Sequence, residues 1–178
     1  LQAEPSMGTA IKYLPHYTVE ERDRWEGDWE LIKGIPYALA SPLPLNQRIL
    51  SRLGWLLTEI LEDCSECALY IELDYYISED TVVRPDALVF CGNPGNKLTD
   101  LPDIVFEIVS ESSRKTDEIV KYDLYESCGI PYYVIIYPEE RAVRVFMMEG
   151  KRYKEISEQP SAFQLRHCQI EVDFNRLW

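Results

Sequence analysis

The stretch VFEIVSESSRKTDEIVKY, residues 105–122, decides how this chain folds. Its opening has the apolar, β-branched character of a strand, yet a carboxylate, Glu107, stands inside it. Alternation sets Ile104, Phe106 and Ile108 on one face of this strand and Val105, Glu107 and Val109 on the other. Beyond the polar turn Ser110–Lys115, a helix is expected from Thr116 to Cys128. Thr116 serves as its N-cap, and Asp117 and Glu118 favour its positive end. Val120, Leu124, Tyr125 and Cys128 make the apolar arc of that helix, and Lys121 projects within it. Burying either charge is costly unless it is paired or metal-bound. The depths match: Glu107 lies roughly 10 Å before the strand end at ~3.3 Å per residue. Lys121 lies about 7.5 Å into the helix at ~1.5 Å per residue. The two side chains can therefore meet behind the same turn. The plainer alternative is a surface pair of Lys121 with Asp117, worth about 0.3–0.5 kcal/mol.

Working outward, Gly129 and Pro131 stop the helix, and PYYVIIY reads as an interior strand, parallel to IVFEIVS because a helical crossover joins them. RAVRVFM and RYKEI form a hairpin turning at Glu149-Gly150, and QIEVDF is a last extended piece. Upstream, ALYIELDYYI and TVVRPDALVF read as two strands joined by SEDT. They follow a helix, LNQRILSRLGWLLTEILEDC, whose Ile49, Leu50, Leu53, Leu56, Leu57, Ile60 and Leu61 make one apolar stripe. Thr18 opens a short helix with Glu21 as its capping-box partner, and WELIKGIPYAL is a hairpin turning at Lys33-Gly34. The expected class is α/β: a mixed sheet with an αβββαβ core, an N-terminal hairpin and C-terminal hairpin strands. Residues 1–10 are expected to be a flexible tail and residues 11–178 a single domain.

With 178 residues, 46% of them hydrophobic, the chain can fill one core. Asp+Glu outnumber Lys+Arg by 31 to 18, a formal net charge of -13. Such a surface repels polyanions and argues against a protein that coats nucleic acid non-specifically. A basic cleft or a bound metal can still supply local attraction. Five scattered cysteines, an odd number, suit reduced thiols in a cytoplasmic protein. No secretory signal or membrane span is visible, so the expectation is a soluble cytoplasmic domain. Cys64-x-x-Cys67 could hold zinc, but no second pair accompanies it and His167-Cys168 is far away in sequence, so zinc is a secondary reading. His16 and His167 show no nucleophile–base pattern. The tyrosine-rich strands (Tyr70, Tyr75, Tyr76, Tyr132, Tyr133) suit core or dimer packing better than base stacking.

Asp86 follows Arg84-Pro85 in the second strand. If the second and third strands pair antiparallel, Asp86 comes near Glu107. Two carboxylates that close repel unless one is protonated or a cation sits between them. Hard oxygen donors with room for waters suit Mg²⁺ or Mn²⁺. A lysine beside such an ion can orient or deprotonate a water, or hold a phosphate oxygen. Arg114 and Lys115, in the preceding loop, could meet phosphate or simply be solvated.

RPDALVF and then PDIVFEIVSESSRKTDEIVKYDLYESCGIPYYVIIYP resemble the Uma family of endonucleases, within the restriction-endonuclease-like PD-(D/E)XK superfamily. The resemblance extends through WELIKG, NQRILSRL and LDYYISEDTVVRPD, from about residue 17 onward. It implies a restriction-endonuclease-like fold, with Asp86 as the motif aspartate and Glu107 as the second acid. The superfamily's usual lysine, two residues after that acid, falls on Val109, which cannot serve. The Uma pattern is similar to this sequence in placing the lysine on the following helix, here Lys121. Glu30 matches a glutamate frequent in the family and is given a supporting catalytic role. SESSR, Asn46 and Ile35 depart from the family's usual residues, which affects accessory contacts. The implied activity is a Mg²⁺- or Mn²⁺-dependent DNA endonuclease, acting as a homodimer where both strands are cut. The rival expectation is a catalytically silent module of the same fold, serving oligomerisation or partner binding. The -13 charge and the lack of a basic stripe favour that rival.

Overall fold

The computed structural model describes residues 14–178, so the tail expected at 1–10 lies outside the described residues. The elements run α1 (Val19–Arg22), β1 (Trp29–Ile32), β2 (Ile35–Ala38), α2 (Pro44–Ile60) with a 3₁₀ turn Leu61–Asp63, β3 (Cys67–Ile71), β4 (Tyr75–Ser78), β5 (Thr81–Val83), β6 (Ala87–Cys91) and β7 (Ile104–Ile108). A π-helical segment, Thr116–Lys121, then runs into α3 (Tyr122–Cys128). After it come β8 (Tyr132–Tyr137), β9 (Ala142–Glu149), β10 (Arg152–Ile156), β11 (Ser161–Gln164), β12 (Gln169–Val172) and a 3₁₀ turn Phe174–Leu177. Contacts group these into two compact units. One holds the chain up to Ala40 with Tyr75–Val83, the other Ser41–Asp74 with Arg84–Trp178.

The first unit is a four-stranded sheet in the order β2-β1-β5-β4, with every pair antiparallel. Its β1–β2 hairpin turns at Lys33-Gly34, as the sequence predicts, and both turn residues have positive φ. Glycine suits the positive φ at position 34, and a Cβ there would also crowd the His16 ring. Thr18 caps α1 through the expected capping box, its own N–H donating to the Glu21 carboxylate at 2.8 Å.

The second unit is built on a six-stranded sheet in the order β10-β9-β8-β7-β6-β3. Its neighbours are antiparallel except β7 and β8, which run parallel across the helical crossover. All residues of β7 and β8 are buried, the burial a parallel pair at the centre of a sheet requires. On one face α2 packs Ile49, Leu50, Leu53, Leu56 and Leu57 into a cluster with Val89, Ile104, Phe106, Ile108, Val134 and Ile136. The alternation read from the sequence is thus the real one: Glu107 faces away from α2.

Four expectations are corrected. ALYIELDYYI and TVVRPDALVF are each two strands rather than one. Their outer halves pair as β3 with β6, and their inner halves pair as β4 with β5 in the other sheet. Pro85 offers no N–H to a ladder, and Glu72 takes a positive φ, so both strands break at the same level. The crossover helix does not start at Thr116. Helical hydrogen bonding begins where the Arg114 N–H donates to the Ser110 carbonyl at 3.0 Å. Ser110 and Ser113 there exchange N–H to hydroxyl bonds of 2.9 and 3.2 Å, in the manner of a capping box. The C-terminal turn between β9 and β10 lies at Gly150-Lys151, since Glu149 still pairs with Arg152. Finally, four of the five cysteines are disulfide-bonded, Cys64 to Cys168 and Cys67 to Cys91, and Cys128 alone is outside a disulfide. Spacing along the chain suggested isolated thiols, but convergence in space is what decides pairing.

Candidate active site

β6 and β7 pair with Ala87 opposite Phe106. One step further along that register places Asp86 across from Glu107. Asp86 precedes β6 rather than lying within it, and the backbone holds it firmly. The Ile108 N–H donates to Asp86 Oδ2 at 2.6 Å, and the Glu72 N–H donates to the Asp86 carbonyl at 3.1 Å. From the crossover helix, Lys121 Nζ donates to Glu107 Oε1 at 2.9 Å, and the Tyr125 hydroxyl donates to the same oxygen at 2.9 Å. Glu107, Lys121 and Tyr125 are 3%, 4% and 0% exposed. The convergence deduced from strand and helix rise is therefore present, and it is a closed, buried ion pair. Such a pair adds little net stability, since desolvation offsets its attraction.

The π-helical segment carries this arrangement. π-turns inside helices cluster at functional sites because they re-aim side chains. Here Asp117, Lys121 and Tyr125, spaced four apart, all turn inward and are buried. Asp117 and Lys121 are both buried, so the alternative of a surface pair between them does not hold. The Asp117 carbonyl accepts from the Tyr133 hydroxyl at 2.8 Å. Asn46, from α2, donates its amide to the carbonyls of Ile108 and Val109 at 2.9 and 3.3 Å, fixing the end of β7 from the other side.

Burial and then the nearby charges of Glu107 and Asp117 push the Tyr133 hydroxyl well above the usual tyrosine range. Burial likewise raises Tyr153, and with the Glu118 hydrogen bond it takes Tyr137 up to about 12. The native chain therefore keeps protons that the unfolded chain begins to release near pH 10. Stability is expected to fall as pH rises from there, and a denaturant titration across the alkaline range should show it. A flat profile would contradict the burial of these hydroxyls.

The other sequence candidates have their own surroundings. Arg114 is drawn into ion pairs with Glu140 and Glu118 and lies over the Tyr137 ring at 5.1 Å, while Lys115 is exposed. Glu30 is buried within β1 of the first unit. His16 pairs with Asp80 and His167 with Glu66. The residues that sequence reasoning missed are Tyr125, Asp117, Asn46 and the Ile108 N–H. Only Tyr125 and Asp117 left a signal, their four-residue spacing from Lys121.

The model of the Uma2 family, described as "Putative restriction endonuclease", matches residues 17–172. The chain belongs to the Uma2 family. A solved structure, titled as a "putative nuclease belonging to DUF820" from Anabaena variabilis, superposes with a TM-score of 0.74 at 18% sequence identity. The match covers 90% of this chain and 97% of that one, and it establishes the shared fold. No curated protein matches the sequence. In this Uma2 chain the apolar Val109 is buried, and the lysine reaches the acid from the crossover helix instead.

Among the described residues, no three His, Cys, Asp or Glu side chains are grouped to hold a metal ion. The donor chemistry nevertheless fits a hard divalent cation that keeps its waters. Mg²⁺ commonly takes one or two carboxylates and completes its shell with water and substrate phosphate. Asp86 and Glu107 are the two carboxylates that would hold such an ion. No helix among the described residues is long and apolar enough to cross a membrane.

Proposed function

We propose that this Uma2 chain is a nuclease that hydrolyses phosphodiester bonds in DNA with the help of Mg²⁺ or Mn²⁺. The observation that carries the reading is the meeting of Glu107 and Lys121 in a buried position beside a backbone-anchored Asp86. Asp86 and Glu107 would hold the ion. Such an ion lowers the pKa of a bound water and takes up charge developing on the phosphate. The chain's own groups prepare that chemistry. The Ile108 N–H fixes the direction of the Asp86 carboxylate, and Tyr125 fixes one oxygen of Glu107. Lys121 Nζ presents a cation that can orient an attacking water or hold a phosphate oxygen. Glu30 plays a supporting part, and cleavage of both strands by one such site calls for a homodimer.

A second reading, a silent module of the same fold, has its own observation. Glu107 Oε1 already accepts from both Lys121 and Tyr125, so the pair is satisfied without an ion. Calorimetric titration of Mn²⁺, with cleavage of supercoiled DNA followed in parallel, separates the two. The wild type is expected to bind and to cut. Asp86→Asn keeps an acceptor for the Ile108 N–H, so it should remain folded by circular dichroism. It should lose more than the roughly 10–100-fold typical of removing a mere partner of a ligand. No ion binding by the wild type, or equal cutting by Asp86→Asn, would sink the nuclease reading.

A further inference from the structure

The crossover helix is fixed at both ends. Ser110 and Ser113 cap its start, and the Asp117 N–H donates to the Ser113 carbonyl at 2.9 Å, the ordinary four-residue closure. Its far end is α3, whose Tyr125 donates to Glu107. Between them lies the π-helical segment Thr116–Lys121. A π-turn closes i→i+5 rather than i→i+4, so it takes in one residue more than an α-turn. At 3.6 residues per turn, one residue is a rotation of roughly 100°. Side chains beyond the turn are therefore set back by that angle from where an unbroken α-helix, started at the same cap, would carry them. In the unbroken helix Val120 and Leu124 would take the directions that Lys121 and Tyr125 now hold. Glu107 would then receive no donor from the helix.

One group stands where it can impose the turn. Tyr133 pairs in register with Val105, on the sheet face of Glu107, and is 0% exposed. Its hydroxyl donates to the Asp117 carbonyl at 2.8 Å. That carbonyl is the acceptor an α-helix would offer to the Lys121 N–H, four residues on. A side chain entering the helical ladder at such a point is a recognised cause of its interruption. The Tyr133 ring also meets the Tyr125 ring edge-on, with centroids 5.0 Å apart. We propose that Tyr133 is a positioning residue: its hydroxyl holds the π-turn and so sets the rotation that brings Lys121 and Tyr125 onto Glu107. The bearing of Tyr133 on cleavage rests on the nuclease reading, whereas the rotation itself does not.

Lys121 is the one buried lysine among the described residues, and Lys33, Lys97, Lys115, Lys151 and Lys154 are exposed. Acylation of the native protein by a soluble active ester, read lysine by lysine by mass spectrometry, reports its burial against those internal references. Lys121 of the wild type should label far more slowly than they do. Tyr133→Phe is expected to raise its labelling about tenfold, the ratio that the upper range of one neutral hydrogen bond carries. The references should not change. Tyr153→Phe is the control, since it removes a hydroxyl of the same aromatic cluster that donates to the Ile130 carbonyl at 2.8 Å, away from the π-turn. Lys121 should stay protected there. Deletion of Ile119, an exposed side chain within the π-helical segment, removes the extra residue. It should leave a plain α-helix with Lys121 still on Glu107, and Tyr133→Phe should then have no effect on labelling. Should Tyr133→Phe alone fail to fold, the same change in the deletion background decides. It should fold there with Lys121 protected, and failure there too overturns the proposal. Unchanged Lys121 labelling in Tyr133→Phe, an equal rise in Tyr153→Phe, or exposure of Lys121 on deletion of Ile119 would each overturn it as well. A wild type that cuts no DNA removes the nuclease reading and leaves these results standing. Where the wild type cuts, Tyr133→Phe should lower kcat with little change in KM.

Discussion

Lys121→Met is expected to destabilise the protein by about 3–5 kcal/mol, because it leaves Glu107 buried without its cation. The side chains of the pair are only 5% and 3% exposed, so solvent screening does not soften the loss. The magnitude belongs to the broken pair rather than to the intact one. Lys121→Met combined with Glu107→Gln removes both charges and should recover most of the stability, since an uncharged pair of similar volume is often neutral. Denaturant unfolding of the wild type, the single variant and the double variant measures this directly. A single-variant cost below 1 kcal/mol, the range of exposed pairs, would show that the site opens to water. The same proteins separate stability from chemistry. If the Glu107–Lys121 pair serves the reaction, the double variant regains its fold and stays inactive.

Phe106→Ala is the second large effect, expected to cost about 3–5 kcal/mol through lost burial and a cavity. Phe106 is 0% exposed on the α2 face of β7, a strand paired on both sides, so little of its surroundings can collapse into the space. Marginal domains hold about 5–15 kcal/mol in all. Folding of this variant is therefore best followed at low temperature by denaturant titration. Ile119→Ala, at a side chain 53% exposed on the π-helical segment, should by contrast stay within about 0.5 kcal/mol. Equal effects at the two positions would mean that the face assignment of β7 is wrong.

Glu107 and Lys121 could be placed from sequence because only one turn separates them. Their depths follow from two fixed rises, and their facing follows from two fixed periods. The same locality made α2 readable from its leucine stripe, and the parallel β7–β8 pair from the crossover between them. Asp86 was harder, because its proximity to Glu107 depends on the register of two strands. That register rests on the Ala87–Phe106 pairing, which no local pattern encodes. The hydroxyl of Tyr125 was hidden behind its ring: on a helical wheel it counts as apolar, and only the position of the Glu107 carboxylate gives it a role.

The strands ALYIELDYYI and TVVRPDALVF show where local reading stops. Each has continuous strand character, yet Glu72 and Pro85 break them together and divide their halves between two sheets. The cysteines show the same limit over longer distances, since Cys64 finds Cys168 across 104 residues. By itself, then, the sequence determined the elements, their faces and the buried Glu107–Lys121 pair, all set by the backbone's own periodicity. The tertiary structure alone decided the division of the strands, the π-turn and inward-facing Asp117, the Tyr125 contact and the joining of the cysteines. Each of those depends on groups far apart in the chain, and only the packed fold sets the distances between them.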